Sequence, residues 1–141
     1  LEPELLRKMK TRTIKGKVLL GTVAGDLHNL GKDIVGALLR AAGYDVYDLG
    51  VDVPSSMFLE SAKVQKPNVL GMSTLLTSAL FVQREVIAGL REAGLRKGVK
   101  VIIGGAATSE NWAKEIGVDD FAESASLGVK KIEKLVARSA N

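Results

Sequence analysis

The sequence predicts an α/β domain built on a doubly wound parallel sheet, and three observations lead there. Short, nearly continuous apolar runs alternate along the chain with segments of helical spacing, as buried parallel strands alternate with crossover helices. Glycine, proline and asparagine punctuate the changeovers. The 141 residues, 46% of them apolar, are enough for one domain with a full-size core and too few for two.

Each element can be read in order. Lys17 to Val23 (KVLLGTV) is the first strand. Gly31 to Ala42 is a helix, because Ile34, Val35, Leu38 and Leu39 fall on one face, and Gly43 stops it. Tyr44 to Leu49 is the second strand. Pro54 suits the first turn of a helix that runs to about Gln65. After Pro67-Asn68 comes a third strand, Val69 to Ser73, and then a long helix from Leu76 to Ala93, closed by Gly94. Val99 to Ile103 is the fourth strand, stopped by Gly104-Gly105. Thr108 or Ser109 caps a helix to Ile116, Gly117 breaks it, Asp119 to Ala122 is a fifth strand, and Ser126 to Arg138 is the closing helix.

Five strands alternating with helices imply right-handed crossovers and helices on both faces. At this size the fit is a flavodoxin-like fold, strand order 2-1-3-4-5. Ligands in such sheets bind beyond the carboxyl ends of the strands, where the order reverses. Here that point is lined by the segments after Val23 and after Leu70.

Composition removes whole classes of function. There is no cysteine, hence no disulfide, no thiolate metal site and no cysteine nucleophile. The net charge of +4, from 20 basic and 16 acidic residues, is mild and spread along helical segments. With only six aromatics (one Trp, two Tyr and three Phe), no nucleic-acid partner is expected. No apolar run is long enough to cross a membrane, so no membrane association and a cytoplasmic location are expected. The opening, residues 1–13, reads as a short helix or the end of one. A chain that begins at Leu1 without an initiator methionine suits a fragment, a processed product or the ordered part of a longer protein.

Chemistry concentrates in the segment Asp26-Leu27-His28-Asn29-Leu30-Gly31, which holds the only histidine. A metal-ligating imidazole usually donates its other ring N–H to a carboxylate, and an Asp two residues away points the same way along an extended loop. The same pair also serves as an ordinary loop-stabilising hydrogen bond, and taken alone that is the commoner use. One His and no Cys do not complete a zinc site. A cofactor that brings most of its own ligands fits better, and haem and corrinoids both qualify. Neither GxGxxG nor a Walker pattern follows the first strand, and the third strand ends in Ser73 instead of the Asp of a phosphoacceptor receiver.

Asp26-x-His28-x-x-Gly31 resembles the DxHxxG signature of cobalamin-binding domains. Ser73-Thr74-Leu75 follows Gly31 after 41 intervening residues (32–72), like the family's SxL, and Gly104-Gly105 follows Leu75 after 28 (76–103), like its GG pair. The resemblance spans residues of about 14 to 138. The wording around Gly21–Asp26, Asp48–Pro54 and Leu75-Leu76-Thr77 is similar to the corrinoid proteins of methyltransferase systems, with cobalamin-dependent methionine synthase as a cousin.

The resemblance implies cobalamin or a related cobamide, methylcobalamin during the cycle, bound base-off and His-on. It makes His28 the lower axial ligand of cobalt and Asp26 the partner that sets its tautomer. Gly31 leaves room for the nucleotide tail, Ser73 hydrogen-bonds the tail base, and Leu75 packs near corrin or tail. Gly104 and Gly105 let the backbone approach the nucleotide, and Thr77 and Ala122 complete the cofactor-binding set. The implied activity is methyl carriage between a substrate:corrinoid methyltransferase and an acceptor methyltransferase using tetrahydrofolate or coenzyme M, with a reductive activation protein as a further partner. On this reading the chain is a carrier component and holds no catalytic residue of its own.

Two departures stand out. Of the four-helix cap usual in methyl-transfer corrinoid proteins, at most the last helix falls within residues 1–13, ahead of a cobalamin-binding domain over 14–141. The family's Tyr-Ala-x-Asp-Ala is Phe121-Ala122-Glu123-Ser124-Ala125 here, so a polar contact at Ser124 is not implied. Rival readings are a small subunit of an adenosylcobalamin mutase, a cobalamin sensor or storage module, and a cofactor-free flavodoxin-like interaction domain.

Overall fold

The computed structural model describes residues 14–26, 28 and 30–139, so the helix expected within 1–13 lies outside the described residues. Strands β1 (Lys17–Thr22), β2 (Asp45–Asp48), β3 (Val69–Ser73), β4 (Lys100–Gly104) and β5 (Asp120–Ala122) form one parallel sheet in the order 2-1-3-4-5. The helices are α1 (Leu30–Ala41), α2 (Ser55–Gln65), α3 (Leu80–Glu92), α4 (Glu110–Ile116) and α5 (Ala125–Ser139).

Strand side chains alternate between the two faces, and each face has its own core. Val18, Leu20, Val69 and Ile102 pack under α1 and α5, against Leu39, Ile132, Leu135 and Val136. Leu19, Leu70, Val101 and Ile103 pack on the other side against Phe58 of α2, Val82, Val86, Ile87 and Leu90 of α3, and Ala113 and Ile116 of α4. Both faces of the sheet are therefore covered, which is why the strands read as unbroken apolar runs. Among the described residues no helix is long and apolar enough to cross a membrane.

Helix ends follow local chemistry. The Ser109 hydroxyl accepts the Trp112 amide at 3.0 Å and starts α4, and Gly117, at φ 78°, closes it in the left-handed conformation. Pro54 precedes α2 as its extended N-cap and is not its first helical residue. The expected long helix from Leu76 differs most. Residues Thr77–Ala79 form a 3-10 turn and α3 begins only at Leu80. The cause is side-chain capture upstream. The Leu75 amide goes to the Asp26 carboxylate at 2.6 Å and the Leu76 amide to the Thr74 hydroxyl at 3.2 Å, which leaves Leu76 extended at φ −109°, ψ 124°.

Candidate functional site

The strand order reverses between β1 and β3. The chain leaves β1 toward α1 on one face and leaves β3 toward α3 on the other, so a crevice opens between the two loops. His28 and the segment 73–75 stand on its two sides.

The Asp26 carboxylate joins them. It is fully buried, while the His28 side chain is 55% exposed. Asp26 Oδ1 accepts the His28 amide at 2.9 Å and meets His28 Nδ1 at 2.7 Å. Asp26 Oδ2 accepts the Thr74 hydroxyl at 2.8 Å and the Leu75 amide at 2.6 Å. Burial alone would raise this carboxyl. The amides of His28 and Leu75, the Thr74 hydroxyl and the imidazole outweigh it and hold the pKa at about 2. Asp26 is then an anion at neutral pH, Nδ1 carries the imidazole proton, and Nε2 keeps the lone pair a metal needs.

A cavity of about 660 Å³ runs inward from His28, between the sheet and helices α1 and α5. Its floor follows the sheet register. The row Leu20–Gly71–Ile102 lies deeper, and the row Thr22–Ser73–Gly104–Ala122 lies two residues nearer the strand ends. Small residues leave the space. Gly71 has only a hydrogen where Leu20 leans across it: a Cβ there would come within 2.7 Å of Leu20 Cδ2. Gly128 of α5 faces Ala122 and Val35. Gly31 has nothing within 4 Å of a Cβ position, so the start of α1 is open.

The structure brings His28, Gly31, Ser73, Leu75, Gly104, Gly105 and Ala122 to the wall of this one cavity, with Asp26 directly behind His28. Thr77 stands apart: it is exposed in the 3-10 turn and is not part of the wall. Ser73 Oγ lies 3.1 Å from Thr22 Oγ1, which in turn donates to the His28 carbonyl at 2.9 Å. The Ser73 proton therefore rests on Thr22, and Ser73 donates to a ligand only by releasing it. Gly105 has a reason of its own to be glycine. Its φ is +106°, and a Cβ would overlap the backbone carbonyl of Thr74. That close approach, with the Thr74 amide donating to the Gly104 carbonyl at 3.0 Å, seats Thr74 for Asp26.

Sequence reasoning missed Thr74 and Lys32. Thr74 occupies the variable position of Ser73-x-Leu75, so the motif gives it no role. Lys32 lines the cavity with a side chain only 4% exposed, and its ammonium meets Asp33 at 2.7 Å and Asp48 at 2.6 Å. Burial pulls its pKa down, but hydrogen bonds and charge from the two aspartates win and raise it above the usual lysine value. The buried face of α1 carries Lys32, Gly36 and Leu39 while Ile34 and Leu38 are exposed, so apolar spacing gave no signal for it.

A half-exposed imidazole backed by a buried anion, at the mouth of an apolar slot under a flavodoxin-like sheet, defines a class. It is a domain with room for part of a large ligand and one imidazole nitrogen free to meet it. Comparison with known proteins narrows the class. Residues 16–129 match the family described as the B12 binding domain, and the chain belongs to that family. It is 44% identical over 139 residues to a corrinoid protein of Desulfitobacterium hafniense strain Y51, covering 98% of this chain and 64% of that one. It is 44% identical over 136 residues to dimethylamine corrinoid protein 1 of Methanosarcina mazei, covering 96% and 62%. Among solved structures, the methanol:cobalamin methyltransferase complex of Methanosarcina barkeri superposes with a TM-score of 0.84 at 32% identity, covering 96% of this chain and 52% of that one. The chain thus spans less than two thirds of the length of these relatives.

The residues present fit a corrinoid. The donor set offers one imidazole nitrogen with its tautomer fixed, which suits a metal whose equatorial ligands come from a ring. Among the described residues no cluster of three or more His, Cys, Asp or Glu side chains offers a metal site independent of such a ring.

Proposed function

We propose that this chain holds a cobamide base-off, with His28 Nε2 as the lower axial ligand, and serves as the methyl-carrying component between two methyltransferases. The pairing of His28 with Asp26 at the mouth of the cavity carries the reading. When bound, the corrinoid supplies a cobalt that bears the methyl group. The chain's own residues do the rest. His28 orients the ring, and Asp26 keeps the proton on Nδ1. Thr74 and the Leu75 amide keep Asp26 ionised. The cavity receives the nucleotide tail, and Ser73 is the hydroxyl that reaches the tail base.

The relatives support methyltransferase partners. A dimethylamine corrinoid protein and a methanol:cobalamin methyltransferase complex are among them. A methyltransferase acting on a methylated amine or alcohol suits the loading side. A tetrahydrofolate or coenzyme M methyltransferase suits the unloading side, and a reductive activation protein restores cobalt that has been oxidised. All three are placed in the cytoplasm with this chain.

Electron paramagnetic resonance of the cobalt(II) form tests the core of this reading. Cobalamin-loaded protein should show nitrogen splitting from a protein imidazole, and His28→Ala should lose it. An unchanged spectrum in His28→Ala would reject His28 as the ligand.

A further inference from the structure

Two non-glycine residues among those described have positive φ: Lys66 at 49° and Asp52 at 52°. Lys66 is the left-handed C-cap of α2, a conformation that helix termination explains. Asp52 ends no helix. It is an exposed residue in the loop between β2 and α2, so its backbone is held in a disfavoured region by something other than packing.

What holds it is the histidine loop. The Asp52 amide donates to the Asp26 carbonyl at 2.9 Å, and the Gly25 amide donates to Asp52 Oδ1 at 2.7 Å. One residue thus brackets the dipeptide Gly25–Asp26 at both ends. Asp52 makes both bonds from its left-handed turn, one through its amide and one through its carboxylate. Neighbouring bonds fix the loop behind it: the Thr22 amide donates to the Gly50 carbonyl and the Val53 amide to the Thr22 carbonyl, each at 2.9 Å. Asp26 bonds His28 through the side chain and Asp52 through the backbone.

We propose that Asp52 is a positioning residue for the axial histidine: it clamps Gly25–Asp26 so that the Asp26 carboxylate stays within bonding distance of His28. The proposal rests on the reading of His28 as the cobalt ligand. It adds to that reading a residue of the β2–α2 loop that touches neither the imidazole nor the cavity.

Three substitutions separate the clamp from the turn. Asp52→Asn keeps an oxygen acceptor and tolerates positive φ. Asp52→Gly relieves the backbone and removes the acceptor. Asp52→Ala removes the acceptor and keeps the strain. In cobalamin-loaded protein reduced to cobalt(II), the fraction of signal with nitrogen splitting should stay at the wild-type level in Asp52→Asn and fall in both Asp52→Gly and Asp52→Ala. In the unloaded protein, the Gly25 amide should exchange with solvent about tenfold faster in the Gly and Ala variants. A wild-type split fraction and wild-type exchange in Asp52→Gly would overturn the proposal, because the backbone turn alone would then suffice. Absence of nitrogen splitting in the wild-type protein itself would overturn the His28 reading instead, and this one with it.

Discussion

Asp26 is the residue on which the site's electrostatics turn. A carboxylate with no solvent contact that keeps its charge must be repaid in hydrogen bonds, and its donors come from both sides of the switch point, His28 on one and Thr74 and Leu75 on the other. The shift has a consequence for stability. The folded pKa of about 2 lies below the ordinary aspartate value of 3.8, so the ionised form is favoured by folding. The stabilisation is complete above about pH 4 and is lost as the pH falls through about 2, and a difference of this size is worth about 2 kcal/mol. Urea unfolding of the unloaded protein should therefore show wild type ahead of Asp26→Asn near neutrality, with about 2 kcal/mol of that lead gone at about pH 2. A lead that does not depend on pH would mean that Asp26 is not the buried anion described.

At the scale of elements, α1 and α5 stand over β1, β3 and β4 and define the cavity by what they lack. Gly128 of α5 is the sharpest case. A Cβ there would meet Ala122 Cβ at 3.5 Å and Val35 Cγ2 at 3.6 Å, ordinary contact distances, so the backbone tolerates alanine. Glycine inside a helix costs about 0.5–1 kcal/mol relative to alanine. Gly128→Ala should thus stabilise the unloaded protein by about that amount while narrowing the slot. Gly128→Leu should keep the fold and block the tail. Thermal melts and spectroscopic titration with cobalamin check both halves; an affinity that Gly128→Leu leaves untouched would place the tail elsewhere. The glycine looks wasteful in a helix until the cavity beside it is counted.

The whole molecule shows what a sequence makes visible. All five strands and their order were legible, because burial on both faces writes each strand as an apolar run and the crossover rule leaves few topologies. The Asp26–His28 pair and the glycines at the strand ends were legible by spacing. The late start of α3 was not, since it depends on Asp26 capturing the Leu75 amide and the Thr74 hydroxyl from a segment about fifty positions away. For the same reason the roles of Thr74, Lys32 and Asp52 appear only when β1, β2 and β3 lie side by side. This architecture leaves a large apolar cavity between sheet and helices, about 660 Å³, and such a space has an energetic consequence. Its walls lack packing partners until a ligand supplies them, so whatever fills the cavity is coupled to the stability of the whole domain. A ligand at a hundred times its dissociation constant adds about 2.7 kcal/mol of stability, or roughly 10 °C in melting temperature for a domain of this size. Cobalamin at such a concentration should produce that shift. Cobinamide has the same corrin and cobalt but no nucleotide tail. It offers His28 the same metal and leaves the slot empty, so at equal concentration it should raise the melting temperature by a clearly smaller amount. Equal shifts from the two would mean that stability is gained at the ring alone and that the cavity is not where the tail resides.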